Sequence, residues 1–307
     1  MTYFFKMLDI QMILLVYLIL GLLCRRLKMI TKENQGQFIS FILNIIMPCM
    51  VFQSFKNVTF PILQQAVVAL MVSLVICLFA LILGRLLYQS YPTDKQRVLK
   101  YATLINNAGF AGLPLAQTIY GDEGLIYASV FLIPIRVFMW SAGITMLSAE
   151  KIKPKQLLLR LAMNVNIIAV MLGILRGLLQ MPLPSFLDTG LSSLSSCVSP
   201  LSMIVIGAII SDIELKGLID KAILSYSFVR LIAIPLVILF TSKLLHLNPT
   251  IIGVSVTLSA MPAATSTSLL AIQNGLDGRF ASKLILMTTL ASLFTAPIVM
   301  AIVQLIL

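Results

Sequence analysis

The sequence predicts an all-α integral membrane protein of ten transmembrane helices, arranged as two inverted five-helix repeats with broken crossover helices four and nine. Three observations predict it. Of 307 residues, 59% are hydrophobic and only 11% charged, with a mean hydropathy of +1.03, whereas a soluble domain carries roughly 25% charged residues. Ten apolar windows, each near the ~20 residues needed to cross the hydrocarbon core, follow one another through short connections. Two of these windows contain helix-breaking runs at corresponding places in the two halves, Asn106-Asn107-Ala108-Gly109-Phe110-Ala111-Gly112-Leu113-Pro114 and Ala260-Met261-Pro262-Ala263-Ala264-Thr265-Ser266.

The first window, 8–24, ends on Arg25-Arg26-Leu27-Lys28 rather than on small residues. It therefore reads as a first span and not as a cleavable signal peptide. The second, 37–55, carries Asn44 four residues before Pro48; the third covers 61–88, and the fourth, 98–120, holds the first break. The fifth, 124–147, contains Arg136 and Trp140, and a short polar link at 148–156 separates the halves 1–147 and 157–307. The second half continues with 157–180, 190–211, 218–242, 249–273 (the second break) and 280–305. No soluble domain is left over.

Lys and Arg set the orientation. Sixteen fall in the odd-numbered loops and their flanks, four (Lys6, Lys56, Arg176, Lys243) on the opposite side, and Arg136 and Arg230 within spans. The positive-inside rule then places the odd loops in the cytoplasm and both termini outside. The net charge of +11 is thus topological, and no basic patch with interleaved aromatics points to nucleic acid. Five spans per repeat, an odd number, force the second copy to be inserted upside down. Tyr-Gly-Asp-Glu-Gly-Leu-Ile-Tyr-Ala-Ser (120–129) matches Asn-Gly-Leu-Asp-Gly-Arg-Phe-Ala-Ser (274–282) with one gap, at an offset of 154, and Asn44 to Pro48 rhymes with Ser196 to Pro200.

Lipid cannot hydrogen-bond backbone groups freed by glycine and proline, so such breaks persist at depth only inside protein or beside a cavity. Paired breaks point to the substrate site of a secondary transporter. Gly109 and Gly112 permit unusual torsions and close approach. Pro114 and Pro262 remove donors, while Asn107, Thr265 and Ser266 offer polar atoms. Half-helix N-termini meeting there favour an anion. A charge at a helix centre costs about 2.5–3.5 kcal/mol, so Arg136 is a functional candidate, and arginine holds a carboxylate bidentately. Neither break contains Asp or Glu, which disfavours cation exchange. Cys24, Cys49, Cys77 and Cys197 lack the spacing of a metal or redox site. With one histidine and no acidic cluster, neither an enzyme nor a metal or cofactor is expected.

The pattern Asn107-x-Gly109-x-x-Gly112-x-Pro114, with Gly121, Trp140-Ser141-Ala142-Gly143, Met261 to Ser266 and Thr288-Thr289-Leu290 to Pro297, resembles the auxin efflux carrier family over nearly the whole chain. The resemblance implies ten helices in two inverted repeats, helices four and nine crossing at Pro114 and Pro262, and termini outside. It also implies Asn107 as a carboxylate contact and Asn44 as a support-site residue. The link of about ten residues differs from the long cytoplasmic loop of plant members and matches bacterial ones, permeases for malate, malonate or related organic acids. The expected protein is a secondary carrier of a small organic anion in the bacterial cytoplasmic membrane, with the lipid bilayer as its environment and a homodimer, frequent in the family, as an expected assembly.

Overall fold

The computed structural model describes residues 2–147, 154–211, 218 and 220–307; most of the expected link at 148–156 lies outside them. The described residues are almost entirely helical. We number the helices α1 (Thr2–Arg26), α2 (Gln35–Asn57), α3 (Phe60–Leu87), α4 (Thr93–Leu104), α5 (Leu113–Phe138), α6 (Pro154–Ala162), α7 (Val165–Leu178), α8 (Ser185–Ile210), α9 (Lys221–Leu244), α10 (Pro249–Ser259), α11 (Ser266–Gln273) and α12 (Gly278–Ile306). A widened turn, Ala108–Gly112, leads into α5, and Met139–Gly143 and Ile144–Leu147 prolong it. Among the described residues α2, α3, α8, α9 and α12 are each long and apolar enough to cross a membrane, and α5 with its extension makes a sixth if that bent pair is one span.

Burial in α3 shows how such helices associate. Apart from Ile76 its inward positions are small, Ala66, Ala69, Ser73, Cys77, Ala80 and Gly84, and this face packs on α5. The opposite face exposes Val67, Met71, Val75, Leu78, Ile82 and Leu86. Large side chains outside and small ones inside are the arrangement expected where lipid is the solvent and close backbone approach holds helices together. Ser73 Oγ donates to the Phe131 carbonyl at 2.6 Å, fixing the register of the pair.

Prolines act in these helices in a way the amino-acid pattern alone does not convey. Of the four widened π-type turns among the described residues, Ile42–Ile46, Ala108–Gly112 and Val229–Ala233 each end two residues before a proline, Pro48, Pro114 or Pro235, while Met139–Gly143 does not. A proline lacks the N–H that would bond the carbonyl four residues earlier and its ring clashes there, so the ladder opens locally by one residue instead of ending. Pro114 therefore widens the entrance to α5 and does not mark the break. That break falls earlier, at Ile105–Asn107. Gly109 and Gly112 do not take positive φ. Gly112 is needed for proximity, because a Cβ there would lie 2.7 Å from Leu258 Cδ2.

Positive φ appears instead at Gly121 (67°) and Gly275 (69°), among the described glycines, the paired glycines of the internal match. Both end a half-helix and turn the chain into the next one. The expected span 157–180 is split at Met163–Asn164, where the Asn164 side chain accepts from Asn166 N and Ile167 N and caps α7.

At the ends, polar contacts join elements distant in sequence. Asp188 receives Lys56 Nζ at 2.6 Å and Arg176 at 2.8 Å, and Gln53 bonds both Asp188 and Arg176. Lys95 Nζ meets Asp220 Oδ2 at 2.7 Å, and that hydrogen bond holds the Asp220 carboxyl below the usual carboxylate range.

The closest crossing is between α1 and α8. A Cβ on Gly207 would sit 2.1 Å from the Leu18 carbonyl oxygen, and one on Gly21 would sit 2.0 Å from that of Ile204. The obstructing atoms are backbone, so relief requires the helices to separate. Gly207→Leu should destabilise the fold by about 3 kcal/mol, the upper part of the overpacking range. Gly190→Leu, at a position with nothing within 4 Å, should change it by less than about 0.5 kcal/mol. Thermal unfolding of the two variants in detergent checks the contrast.

Candidate functional site

The two broken segments meet. Asn106 and Ala263 form an isolated antiparallel bridge, and Asn107 N donates to the Pro262 carbonyl at 2.9 Å. The Asn106 side-chain amide donates to the Leu258 carbonyl. Ala263 N donates to Thr288 Oγ1 at 3.2 Å, and the Tyr101 and Ser266 hydroxyls lie 3.3 Å apart. Each chain segment thus supplies partners for groups that the other's break releases. The meeting point is Asn106-Asn107 with Pro262-Ala263, so Pro262 lies at it while Pro114 stands seven residues beyond Asn107.

Four half-helix ends converge here, and they divide by polarity. α4 and α10 arrive with their C-terminal ends; the Ala108–Gly112 turn and α11 leave with their N-terminal ends. The C-terminal carbonyls have a cation of their own. Arg230 is 3% exposed, and it donates to the Thr103 carbonyl at 3.0 Å and to the Met261 carbonyl at 3.3 Å. A guanidinium at the negative ends of two helix dipoles is favourably placed. Sequence alone had shown a charge without an acidic partner; its partners are backbone carbonyls at both breaks.

The N-terminal ends face a cavity of about 120 Å³. That is well above the ~10–15 Å³ that one water requires. Of the predicted site residues, Asn107, Gly109, Thr265, Ser266 and Arg136 line it. Apolar walls come from Ile39 and Leu43 of α2, Leu132 and Ile135 of α5, and Ile209 of α8. Gly109 lies beside Arg136: a Cβ there would be in ordinary van der Waals contact with the guanidinium, at 3.5 Å. Arg136 is half-buried. Among the described residues its side chain has neither a hydrogen bond nor an ion pair, and the Asn107 side chain likewise has no hydrogen-bond partner.

Three predicted residues lie elsewhere. Pro114 is buried in the first turn of α5, and Pro262 borders a separate small apolar cavity. Asn44 is exposed and bonds Ser40 Oγ at 3.0 Å. It sits in the widened turn that Pro48 imposes, which leaves its neighbour Leu43 on the cavity wall. Sequence reasoning missed the apolar wall altogether, because nothing in a lipid-facing pattern distinguishes Ile39 or Ile209 from its neighbours.

A wider space of about 600 Å³ adjoins the central cavity and shares Ile209 and Thr265 with it. Its rim carries Lys32, Arg279 and Lys283, with Ser268 and Ser282 hydroxyls between. No carboxylate lines it among the described residues.

A family model described as a membrane transport protein matches residues 7–300. The chain belongs to the auxin efflux carrier family of membrane transport proteins. An uncharacterized transporter of Methanothermobacter thermautotrophicus is 26% identical over 289 residues, which cover 92% of this chain and 94% of that one. An uncharacterized transporter of Methanocaldococcus jannaschii is 27% identical over 302 residues, covering 93% and 95%. The family and these relatives are transporters rather than enzymes, and the several long apolar helices agree with a multi-pass membrane protein.

The two arginines within the spans of this transporter should behave oppositely. Removing Arg230 orphans two buried carbonyls at about 1–3 kcal/mol each, partly offset by relief of a buried charge. Arg230→Met should therefore lose about 2–3 kcal/mol in chemical unfolding, whereas Arg136→Gln, at a residue with no partner to lose, should stay within about 1 kcal/mol of the parent.

Proposed function

We propose that the protein is a secondary carrier for a small organic anion, a mono- or dicarboxylate of the malate type, bound in the cavity beside the crossing. The observation that carries this reading is Arg136, a guanidinium without a protein partner among the described residues, on the same wall as Asn107 and the N-terminal ends at Gly109 and Ser266. A carboxylate there would receive a bidentate cation, an amide and two helix dipoles. The apolar remainder of the wall would exclude water from the carbon skeleton.

The proposal includes ten crossings in two inverted repeats of five, with α4 and α10 as first halves of the two crossover helices. It is supported by the mutual pairing of the breaks and by the matched positive φ at Gly121 and Gly275. With the basic loops cytoplasmic and both termini outside, the space rimmed by Lys32, Arg279 and Lys283 opens to the cytoplasm. It would attract anions toward the cavity as an electrostatic funnel. Alternating access would follow when one bundle rocks against the other and closes this vestibule.

Uptake of radiolabelled mono- and dicarboxylates into proteoliposomes tests the reading. Saturable uptake is expected, reduced at least about tenfold by Arg136→Gln and by Asn107→Ala. Sodium or proton flux without any organic anion would contradict the substrate class, and unaltered carboxylate uptake in both variants would contradict the site.

A further inference from the structure

A second basic cavity, of about 880 Å³, lies away from the crossing, between the end of α3, the start of α4 and the extension of α5. Its cations are Arg85, in the last turn of α3, with Arg97 and Lys100 of α4. No carboxylate lines it among the described residues. Among the described residues none of the three has a hydrogen bond or ion pair. Lys95, on the same helix, is by contrast bound to Asp220. Gly84 allows the stem of Lys100 to cross α3 at van der Waals distance, 3.6 Å from a Cβ placed there.

The rest of the cavity is apolar and opens sideways. Leu78, Leu81 and Ile82 of α3 form its inner wall with Met146. Leu78 is 47% exposed and Ile82 60%, and both belong to the outward face of α3 that continues through Val75 and Met71. From Leu78 to Arg85 the helix rises about 10 Å. A cluster of cations unpaired among the described residues, at a helix end and joined to an apolar surface one to two turns deeper, has the polarity of a phospholipid: phosphate above, acyl chain below.

We propose that this cavity is a binding site for an anionic phospholipid. Arg85, Arg97 and Lys100 hold its phosphate, and its acyl chain lies along Leu78 and Ile82. Isolated basic residues at a membrane surface merely extend toward any headgroup, whereas three around one concavity, without a counter-ion among the described residues, select net negative charge. The site shares no lining residue with the anion cavity, and its lipid does not depend on which solute is carried.

Native mass spectrometry of the full chain in micelles containing equal phosphatidylglycerol and phosphatidylcholine tests this. Retention of phosphatidylglycerol over phosphatidylcholine is expected. It should be abolished in the triple variant Arg85→Gln, Arg97→Gln, Lys100→Gln, and kept in Lys32→Gln, Arg279→Gln, Lys283→Gln, which strips the other basic space. If the triple variant does not fold, the singles Arg97→Gln and Lys100→Gln should each lower the ratio roughly fivefold. Equal retention of the two lipids by the parent protein, or a preference that survives these substitutions, would overturn the proposal. Displacement of the lipid by millimolar inorganic phosphate would overturn it too, by showing a site for the free anion; persistence of the lipid supports it.

Discussion

A backbone opened inside a membrane protein has to find its hydrogen bonds within the protein, because the surrounding hydrocarbon offers none. The breaks at Ile105–Asn107 and Ala260–Thr265 satisfy this requirement together. Asn107 N reaches Pro262, Asn106 reaches Leu258, and Thr288 takes Ala263 N. Neither break could persist alone. Elements that look unrelated in the chain, α4 and α9 to α12, are tied to the same point because each supplies a missing partner.

The same constraint creates an electrostatic asymmetry. Two helix C-termini and two N-termini meet at the crossing, and their partial charges would oppose each other if left alike. Arg230 takes the C-terminal carbonyls at Thr103 and Met261 and leaves the N-terminal ends facing the cavity. What remains there, with Arg136 on the cavity wall, is a net positive environment of low polarity. One arginine bonds the scaffold's carbonyls and the other lines the cavity, although both appear in sequence as a lone cation within an apolar span.

The second break was legible because Pro262 beside polar side chains interrupts a backbone ladder that lipid would otherwise enforce; the first was legible only as a neighbourhood, because it falls at Ile105–Asn107 and not at the glycines or Pro114 that drew attention to it. The match of Gly121 with Gly275 was legible because only glycine accepts that φ readily. Arg136, Asn107, Gly109, Thr265 and Ser266 came together as the pattern implied. Where the pattern misled, tertiary partners were responsible. Pro114 looked like a break point, yet the helix absorbs it as a widened turn, a choice made by the packing around it. Asn44 looked like a cavity residue from its proline and was turned outward by the widened turn that Pro48 imposes. Arg230 was ambiguous because its partners are carbonyls 31 and 127 residues away, and no local spacing records them.

The proposed contact is between Arg136, on the cavity wall, and a carboxylate of the substrate. Solid-state NMR on proteoliposomes, with ¹⁵N-labelled arginine and a ¹³C-carboxyl-labelled substrate, measures that contact directly. The account predicts a dipolar coupling corresponding to roughly 4 Å or less between guanidinium nitrogen and carboxyl carbon, as a bidentate pair requires, and its loss in Arg136→Gln. A transported carboxylate that shows no such coupling, or one whose coupling survives in Arg136→Gln, would contradict it.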